Sequence, residues 1–390
     1  MTNTLYYKYT IRTIMHITIC CLCILTSCDN NINNMQETSI DTSICKEVSL
    51  EDYIEDYMLC PLQSEEPIDE ITMGMAFDSI ALYKTANTKE IYYFKNNKLI
   101  SKLSSVGRGD GEYININAFT YNPFNNTIIV STEKEDLNIY SLPGMNLVRT
   151  INSKINIKGM YAISDSTILT VSSNLKNTQN GTGICIVNLT DGTTSLIEST
   201  HYINNMFFMG NEFAKHNSSV LIPLSGYTNK ILEYKDSKIT TISSHSFKEN
   251  NLPEKFRSDN YSNLDENYDF IIHLMQNNYI LGCYNPIITD RQTTTWYTSK
   301  DINGNYKYMM LALNKDSYMN YSFHIPGFNK IIIPDYVAGD YYAMIIQEPI
   351  ETLTKESGNI SELGKDIITT KKSQNYENPI LLYFKIKQTL

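Results

Sequence analysis

Few residues in this chain of 390 stand at spacings that chemistry requires. Asp301, Asn303 and Asn305 alternate as the first ligands of a calcium-binding loop do. Such a loop needs glycine at its sixth position and a bidentate glutamate at its twelfth, whereas here the glycine is Gly304 and the twelfth residue is Ala312. The segment therefore reads as a hairpin turn. Cys20 and Cys23 keep the C-x-x-C spacing of zinc and redox sites, but they lie inside an apolar run that is discarded with it. Arg108-Gly109-Asp110 spells an adhesion tripeptide within a glycine-rich stretch whose turn geometry accounts for it. His201, His216, His245, His273 and His324 are spread singly, which suits turns and packing better than ligation. There is no G-x-S-x-G, no H-E-x-x-H, no phosphate-binding G-x-x-x-x-G-K and no G-x-G-x-x-G opening a helix. No cofactor and no metal are expected from these residues.

Tyrosine is the residue type most open to a functional reading, at 29 copies. Its flat apolar face and polar tip suit stacking on sugars or gripping a peptide. Trp296, Tyr297, Tyr318, Tyr321, Tyr341 and Tyr342 are the candidate binding face. The competing role is structural, because tyrosine is also favoured in strands and covers sheets.

One residue has a sharper chemistry. Lys8 and Arg12 precede an apolar run, Ile14–Leu25, that is long enough for a signal peptide and too short for a bilayer core of about 30 Å. The run ends in Leu25-Thr26-Ser27-Cys28, which has the bacterial lipobox pattern: an aliphatic residue, two small residues, then the cysteine that receives diacylglycerol. Small residues let the peptidase approach the backbone beside the modified thiol. The expectation is a signal peptide over 1–27, cleavage before Cys28 and a lipid anchor there. The alternative, a buried apolar helix ending in a cysteine, fits poorly with the abrupt change to polar residues at Asp29.

The formal net charge is −10, and loss of a leader that holds two basic and no acidic residues makes it more negative. An acidic chain without a basic cluster disfavours a phosphate-backbone partner, so no nucleic acid is expected. Beyond Cys28 only Cys45, Cys60, Cys185 and Cys283 remain, too scattered for a disulfide framework. Cys45 and Cys60 can pair in an oxidising envelope, but separate thiols are the preferred reading. The stretch from Asp29 to about Ser43 is polar and Asn-rich, with too little apolar surface to offset its ordering entropy. It reads as a flexible tether over 28–45 that reaches about 20 to 25 Å.

From Val48 onward short segments rich in Ile, Tyr, Thr and Val alternate with Asn, Asp and Gly. Ser79–Thr85, Glu90–Phe94, Thr127–Ser131, Leu137–Ser141, Ile168–Ser172, Gly183–Leu189, Val220–Pro223, Lys230–Tyr234, Tyr279–Tyr284, Tyr306–Leu313, Tyr341–Gln347 and Ile380–Ile386 carry strand signals. Hairpin dipeptides stand between them, among them Asn96-Asn97, Asn125-Asn126, Asp191-Gly192, Asn277-Asn278 and Asn303-Gly304. No amphipathic helices of about 10 to 15 residues alternate with the strands, which disfavours a parallel α/β sheet. Residues 125–148, 165–197 and 217–242 can be laid over one another as turn, apolar strand, gap and second strand. Consecutive blades of a β-propeller read this way. Two inserts, Asn250–Asn267 and Glu351–Glu377, interrupt the pattern, and ISELGKDI in the second can form a short helix.

Three stretches resemble the TolB-like six-bladed β-propeller lipoproteins of Gram-negative bacteria. Val48-Ser49-Leu50-Glu51-Asp52-Tyr53 with Cys60-Pro61-Leu62-Gln63 looks like that family's opening strand, and Asn378 to Lys387 like its closing strand. Val106-Gly107-Arg108-Gly109-Asp110-Gly111-Glu112-Tyr113 looks like its G-x-G-P-G-E-Y turn after the first blade. Gly107, Gly109, Gly111, Glu112 and Tyr113 match that motif, while Asp110 replaces its proline, which leaves the turn intact but puts a ligand role for the loop in doubt. The resemblance implies an all-β fold of six antiparallel blades over 46–390. Roughly 57 residues per blade exceeds the 40 to 50 that four strands need, and seven blades also fit, so the resemblance decides the number.

The expected function is a lipid-anchored propeller at the cell envelope that binds a protein, peptide or glycan without catalysis. The outer membrane is preferred to the inner. One alternative is a lactonase-like propeller hydrolase with a metal in the central channel, which requires acidic residues converging from at least three blades. Another is a structural subunit of an envelope complex, which requires a contiguous exposed apolar patch.

Overall fold

Strands with apolar side chains on both faces can be buried only by stacking sheet against sheet. In the computed structural model the chain does this six times. The described residues are 37–173, 183–199, 213–223, 229–253, 272, 276–280, 282–300, 303–314, 317–329, 332–355, 359–374 and 376–388. The chain opens with β1 (Thr38–Ser39), β2 (Lys46–Ser49), a one-turn helix α1 (Leu50–Tyr53) and β3 (Ile54–Pro61). Blade 1 is β4 (Ile71–Phe77), β5 (Ile80–Thr85), β6 (Ile91–Lys95) and β7 (Lys98–Leu103). Blade 2 is β8 (Ile116–Asn122), β9 (Thr127–Thr132), β10 (Asp136–Ser141) and β11 (Asn146–Asn152). Blade 3 is β12 (Asn156–Ala162), β13 (Thr167–Ser173), β14 (Gly183–Asn188) and β15 (Thr194–Ser199).

Blade 4 is β16 (Ala214–His216), β17 (Ser219–Ile222), β18 (Lys230–Lys235) and β19 (Lys238–Ser246). Blade 5 is β20 (Tyr284–Ile288), β21 (Thr293–Lys300), β22 (Tyr306–Asn314) and β23 (Ser317–His324). Blade 6 has β24 (Tyr336–Ala338), β25 (Tyr341–Ile346) and β26 (Ile380–Ile386). Its fourth strand comes from the other end of the chain: β3 pairs antiparallel with β26, Leu59 opposite Leu382. The opening and closing segments are thus neighbours, and their pairing closes the ring.

Hydrophobic clusters lie where consecutive blades face one another. Tyr93 and Leu103 of blade 1 pack with Phe119 and Val130 of blade 2. Ile129 and Ile139 meet Ile157 and Cys185 between blades 2 and 3, and Leu169 and Val171 meet Val220 and Ile222 between blades 3 and 4. Trp296 and Met310 meet Tyr342 and Phe384 between blades 5 and 6, and Tyr83 and Phe94 meet Tyr336 and Ile345 where blade 6 returns to blade 1. A strand in the middle of a blade therefore has an apolar neighbour on both faces, and every residue of β9 is buried. An outermost strand does not, and β11 is exposed except at Ile151.

Tight turns follow the Asn signals. Asn96 and Asn97 have φ of 49° and 61°, the paired left-handed conformation that matches strand twist in a two-residue hairpin. The insert at 351–377 supplies α2 (Ile350–Leu353) in part and α3 (Glu362–Lys372) whole. The Ser361 hydroxyl caps α3 by accepting from the Gly364 amide. Of the other insert, residues 254–267 lie outside the described residues.

The start of the domain needs correction. The compact unit begins at Glu37, not at residue 46. β1 lies parallel to β19 on blade 4, Thr38 opposite His245, and β2 lies parallel to β23 on blade 5, Lys46 opposite Tyr321. Ile40 is fully buried beside Phe247 and Tyr297, and the Asn320 amide donates to the Asp41 and Ile44 carbonyls. An added edge strand needs only backbone groups and one buried side chain, worth about 1.5–3 kcal/mol for isoleucine, so it leaves no periodicity in a polar sequence. The segment Glu37–Pro61 consequently runs along the outer edges of blades 4, 5 and 6 in turn. Val48–Tyr53 is likewise strand only to Ser49, after which α1 turns the chain.

Candidate functional site

The innermost strands β4, β8, β12, β16, β20 and β24 surround the channel, and each ends in a turn at the same mouth. Residues of all six blades line a cavity of about 1150 Å³ there, above the 300–1,000 Å³ usual for ligand pockets. Turn chemistry sets its rim. Asp78 and Asn217 take φ of 52° and 51° and Gly339 62°, so the chain reverses sharply and leaves its polar tips exposed.

The walls below the rim are aromatic on four consecutive blades. Phe77 at the end of β4 meets Tyr121 of β8 edge-on, with ring centroids 5.6 Å apart. Tyr161 of β12 meets Phe213, just before β16, at 6.3 Å. Met75, Met160 and Ile287 add apolar surface. Burial pushes the Tyr161 phenol up to about 12 and raises Tyr121, so both stay neutral and keep a proton to donate.

Charge stands above this collar. Lys215 and His216 come from blade 4, Asp290 and Arg291 from the blade 5 turn, Asp78 from blade 1 and Asp340 from blade 6. The Lys215 ammonium lies 5.1 Å from the centroid of the Phe77 ring. Carboxylates from three blades thus reach the mouth, but among the described residues no three potential ligands stand close enough to hold a metal ion.

Of the six aromatic residues singled out in the sequence, only Tyr341 lines this cavity, and its hydroxyl donates to Asp56 at 2.7 Å. The others do not join it. Trp296 and Tyr342 are buried together, ring centroids 5.7 Å apart, between blades 5 and 6. Tyr297 is buried against Phe247, with its hydroxyl donating to Asn320 at 3.0 Å. Tyr321 is stacked beside Phe323 at 5.8 Å, and Tyr318 accepts the Asp41 amide at 2.8 Å, tying β1 to blade 5. These five hold sheets together and form no accessible face with Tyr341. Cys28 and Asp301 lie outside the described residues, as do His201 and His273. Cys45, Cys60, Cys185 and Cys283 are free thiols, with Cys45 beside blade 5 and Cys60 between blades 6 and 1.

The glycine-rich motif sits at the other end of the ring, because a link from an outermost strand to the next innermost one lies opposite the mouth. It is a closed loop between blades 1 and 2. The Gly107 amide donates to the Tyr113 carbonyl at 2.9 Å and the Tyr113 amide to that of Ser105 at 3.0 Å. The Glu112 carboxylate accepts the Gly109 amide at 2.6 Å, so the loop holds itself. Gly111 needs its positive φ of 72°, and Tyr140 donates to its carbonyl at 2.7 Å. Tyr113 is fully buried. Asp110 is accommodated where the resemblance expects proline.

Phe77, Tyr121, Tyr161, Phe213, Lys215 and Arg291 were not evident from the sequence. Their only signal is an aromatic or cationic residue shortly before the first turn of a repeat, which becomes readable once blade boundaries are known.

A family model described as a 6-bladed beta-propeller, DUF5128, matches residues 28–337. No curated protein matches the chain in sequence. Among solved structures, a predicted exported protein of Bacteroides fragilis NCTC 9343 is similar with a TM-score of 0.65 and 16% identity, over 90% of this chain and 99% of the other. A member of the DUF4221 family from Bacteroides vulgatus ATCC 8482 is similar with a TM-score of 0.50 and 13% identity, over 86% of this chain and 97% of the other. At such identities these likenesses bear on the fold alone.

Proposed function

Because the chain belongs to the DUF5128 family of 6-bladed beta-propellers, we propose that it is a non-catalytic binding module of the bacterial cell envelope whose channel mouth holds a peptide or protein segment. The observation that carries this reading is the open, aromatic-walled cavity lined from all six blades. A rigid ring holds turns of fixed geometry around one opening, and function on such folds resides in the site built there.

The address rests on the sequence. Leu25-Thr26-Ser27-Cys28 makes Cys28 the acylated residue of a TolB-like lipoprotein, with signal peptide 1–27. The outer membrane is the preferred site. Radiolabelled palmitate should enter the wild-type protein and not Cys28→Ser, with the propeller folded in both. Membrane attachment of a processed Cys28→Ser protein would refute the anchor.

The binding function is tested with the purified protein in detergent, screened against peptide and glycan sets, with displacement of ligand by substitutions at the mouth as the readout. Lactone or phosphoester hydrolysis that depends on a divalent metal would replace this reading with the hydrolase. The three aspartates at the mouth make that the informative control.

A further inference from the structure

We propose that the channel mouth selects a carboxylate carried next to an apolar side chain in a peptide, with Lys215 as the anion-binding residue and Phe77 as the ring exchanged between Lys215 and the ligand. The inference rests on the binding-module reading and names the ligand class of that site.

Lys215 and Phe77 belong to blades 4 and 1, which face each other across a ring of six. The contact of 5.1 Å between ammonium and ring centroid therefore crosses the channel. A cation over a ring at an exposed position contributes about 0.5–1 kcal/mol. The ammonium can exchange the ring for a carboxylate, because a charge-assisted hydrogen bond is about twice as strong as a neutral one. No carboxylate holds Lys215 among the described residues. The ion pairs there are Lys102–Glu66, Lys248–Asp41, Lys365–Glu362 and Lys385–Glu55, all away from the mouth. Arg291 on the adjacent blade offers a second cation at the same opening.

Swinging Lys215 toward an incoming carboxylate uncovers Phe77, which with Tyr121 forms an apolar corner at ring separation 5.6 Å. One ligand can then satisfy both halves of the broken contact: its carboxylate takes the ammonium and its side chain takes the ring. The Tyr161 hydroxyl has no hydrogen-bond partner among the described residues and can donate to a peptide carbonyl. A neutral sugar would compete with Lys215 for the Phe77 face and give the ammonium nothing in return, so the arrangement favours the acidic peptide.

The test uses the full processed protein in detergent and saturation-transfer NMR titration. The probes are an N-acetylated, C-amidated tripeptide with glutamate after phenylalanine, its glutamine counterpart, a neutral maltooligosaccharide and an oligogalacturonate. The glutamate peptide should bind about tenfold more tightly than the glutamine one. Lys215→Gln should erase that ratio, and Phe77→Leu should weaken both peptides, with melting temperatures near wild type. Equal binding of the two peptides overturns the inference, as does a preference that survives Lys215→Gln. Binding of oligogalacturonate alone overturns the peptide assignment. Binding of the neutral sugar alone, strengthened by Lys215→Gln, overturns carboxylate selection but leaves the binding module standing. Absence of all binding together with metal-dependent hydrolysis overturns both.

Discussion

The middle strand of blade 2 and the innermost strand of blade 4 carry opposite burdens. In blade 2 the middle strand β9 reads TIIVST and is buried throughout, because blades 1 and 3 cover its two faces. In blade 4 the innermost strand β16 reads AKH and buries only Ala214, since one edge of it faces the channel. A middle strand fixes stability and has little freedom to change. The short strand β16 is held by backbone pairing to β17, so its exposed side chains can be chosen for recognition at small cost to the fold.

The largest effect that tests this division comes from a middle strand. Leu169 of β13 is fully buried where blades 3 and 4 meet, and Leu169→Ala should cost about 3–4 kcal/mol through the cavity it leaves. Denaturant unfolding would measure it. Mouth substitutions such as Lys215→Gln should stay within about 0.5 kcal/mol. Comparable losses at the two places would break the comparison.

The same contrast decided what could be read from the sequence. Thr127–Ser131 and Ile168–Ser172 were legible because burial on both faces demands unbroken apolar runs, and they fall on β9 and β13. The innermost strands β4, ITMGMAF, and β16, AKH, are only partly buried, and β16 is too short to carry such a run. The site stands on those strands and was therefore missed. The tyrosine content pointed the other way: Trp296, Tyr297 and Tyr342 are conspicuous because cores select large rings, and they are buried for the same reason. Blade 5 shows a smaller shift, with β20 starting at Tyr284 where the strand signal ended.

An outermost strand gains a covered residue where another strand pairs with it, and the end of β19 beside β1 is the case. His245 is buried there with Nδ1 unpartnered among the described residues, and desolvation lowers it to about 4. The ordinary value near 6.5 holds for the unfolded chain, so only the unfolded state takes up this proton between the two values. The stabilising effect of the neutral ring is present above about pH 6.5 and is lost as pH falls toward 4. From pH 7 to pH 5 the loss should be about 2 kcal/mol, and His245→Gln should remove that part of the pH dependence of the melting temperature. An unchanged pH slope would mean that β1 does not exclude water from β19.

The finest discrimination comes from one chemical change made twice. Tyr83 lies on the middle strand β5, and its hydroxyl shares a hydrogen bond of 2.8 Å with Tyr336, itself 3.0 Å from the Tyr383 hydroxyl. Tyr83→Phe removes one link of a buried chain and should cost about 1 kcal/mol, with the loss limited because Tyr336 keeps Tyr383. Tyr161 lies on the innermost strand β12, and its hydroxyl has no protein partner among the described residues. Tyr161→Phe deletes the same atom without breaking a bond, so the melting temperature should move by less than the equivalent of about 0.5 kcal/mol. What it should lose is affinity for an acidic peptide, if that hydroxyl serves the ligand and not the fold. Equal destabilisation by the two substitutions would place Tyr161 in the packing of the ring and return the channel wall to a structural role.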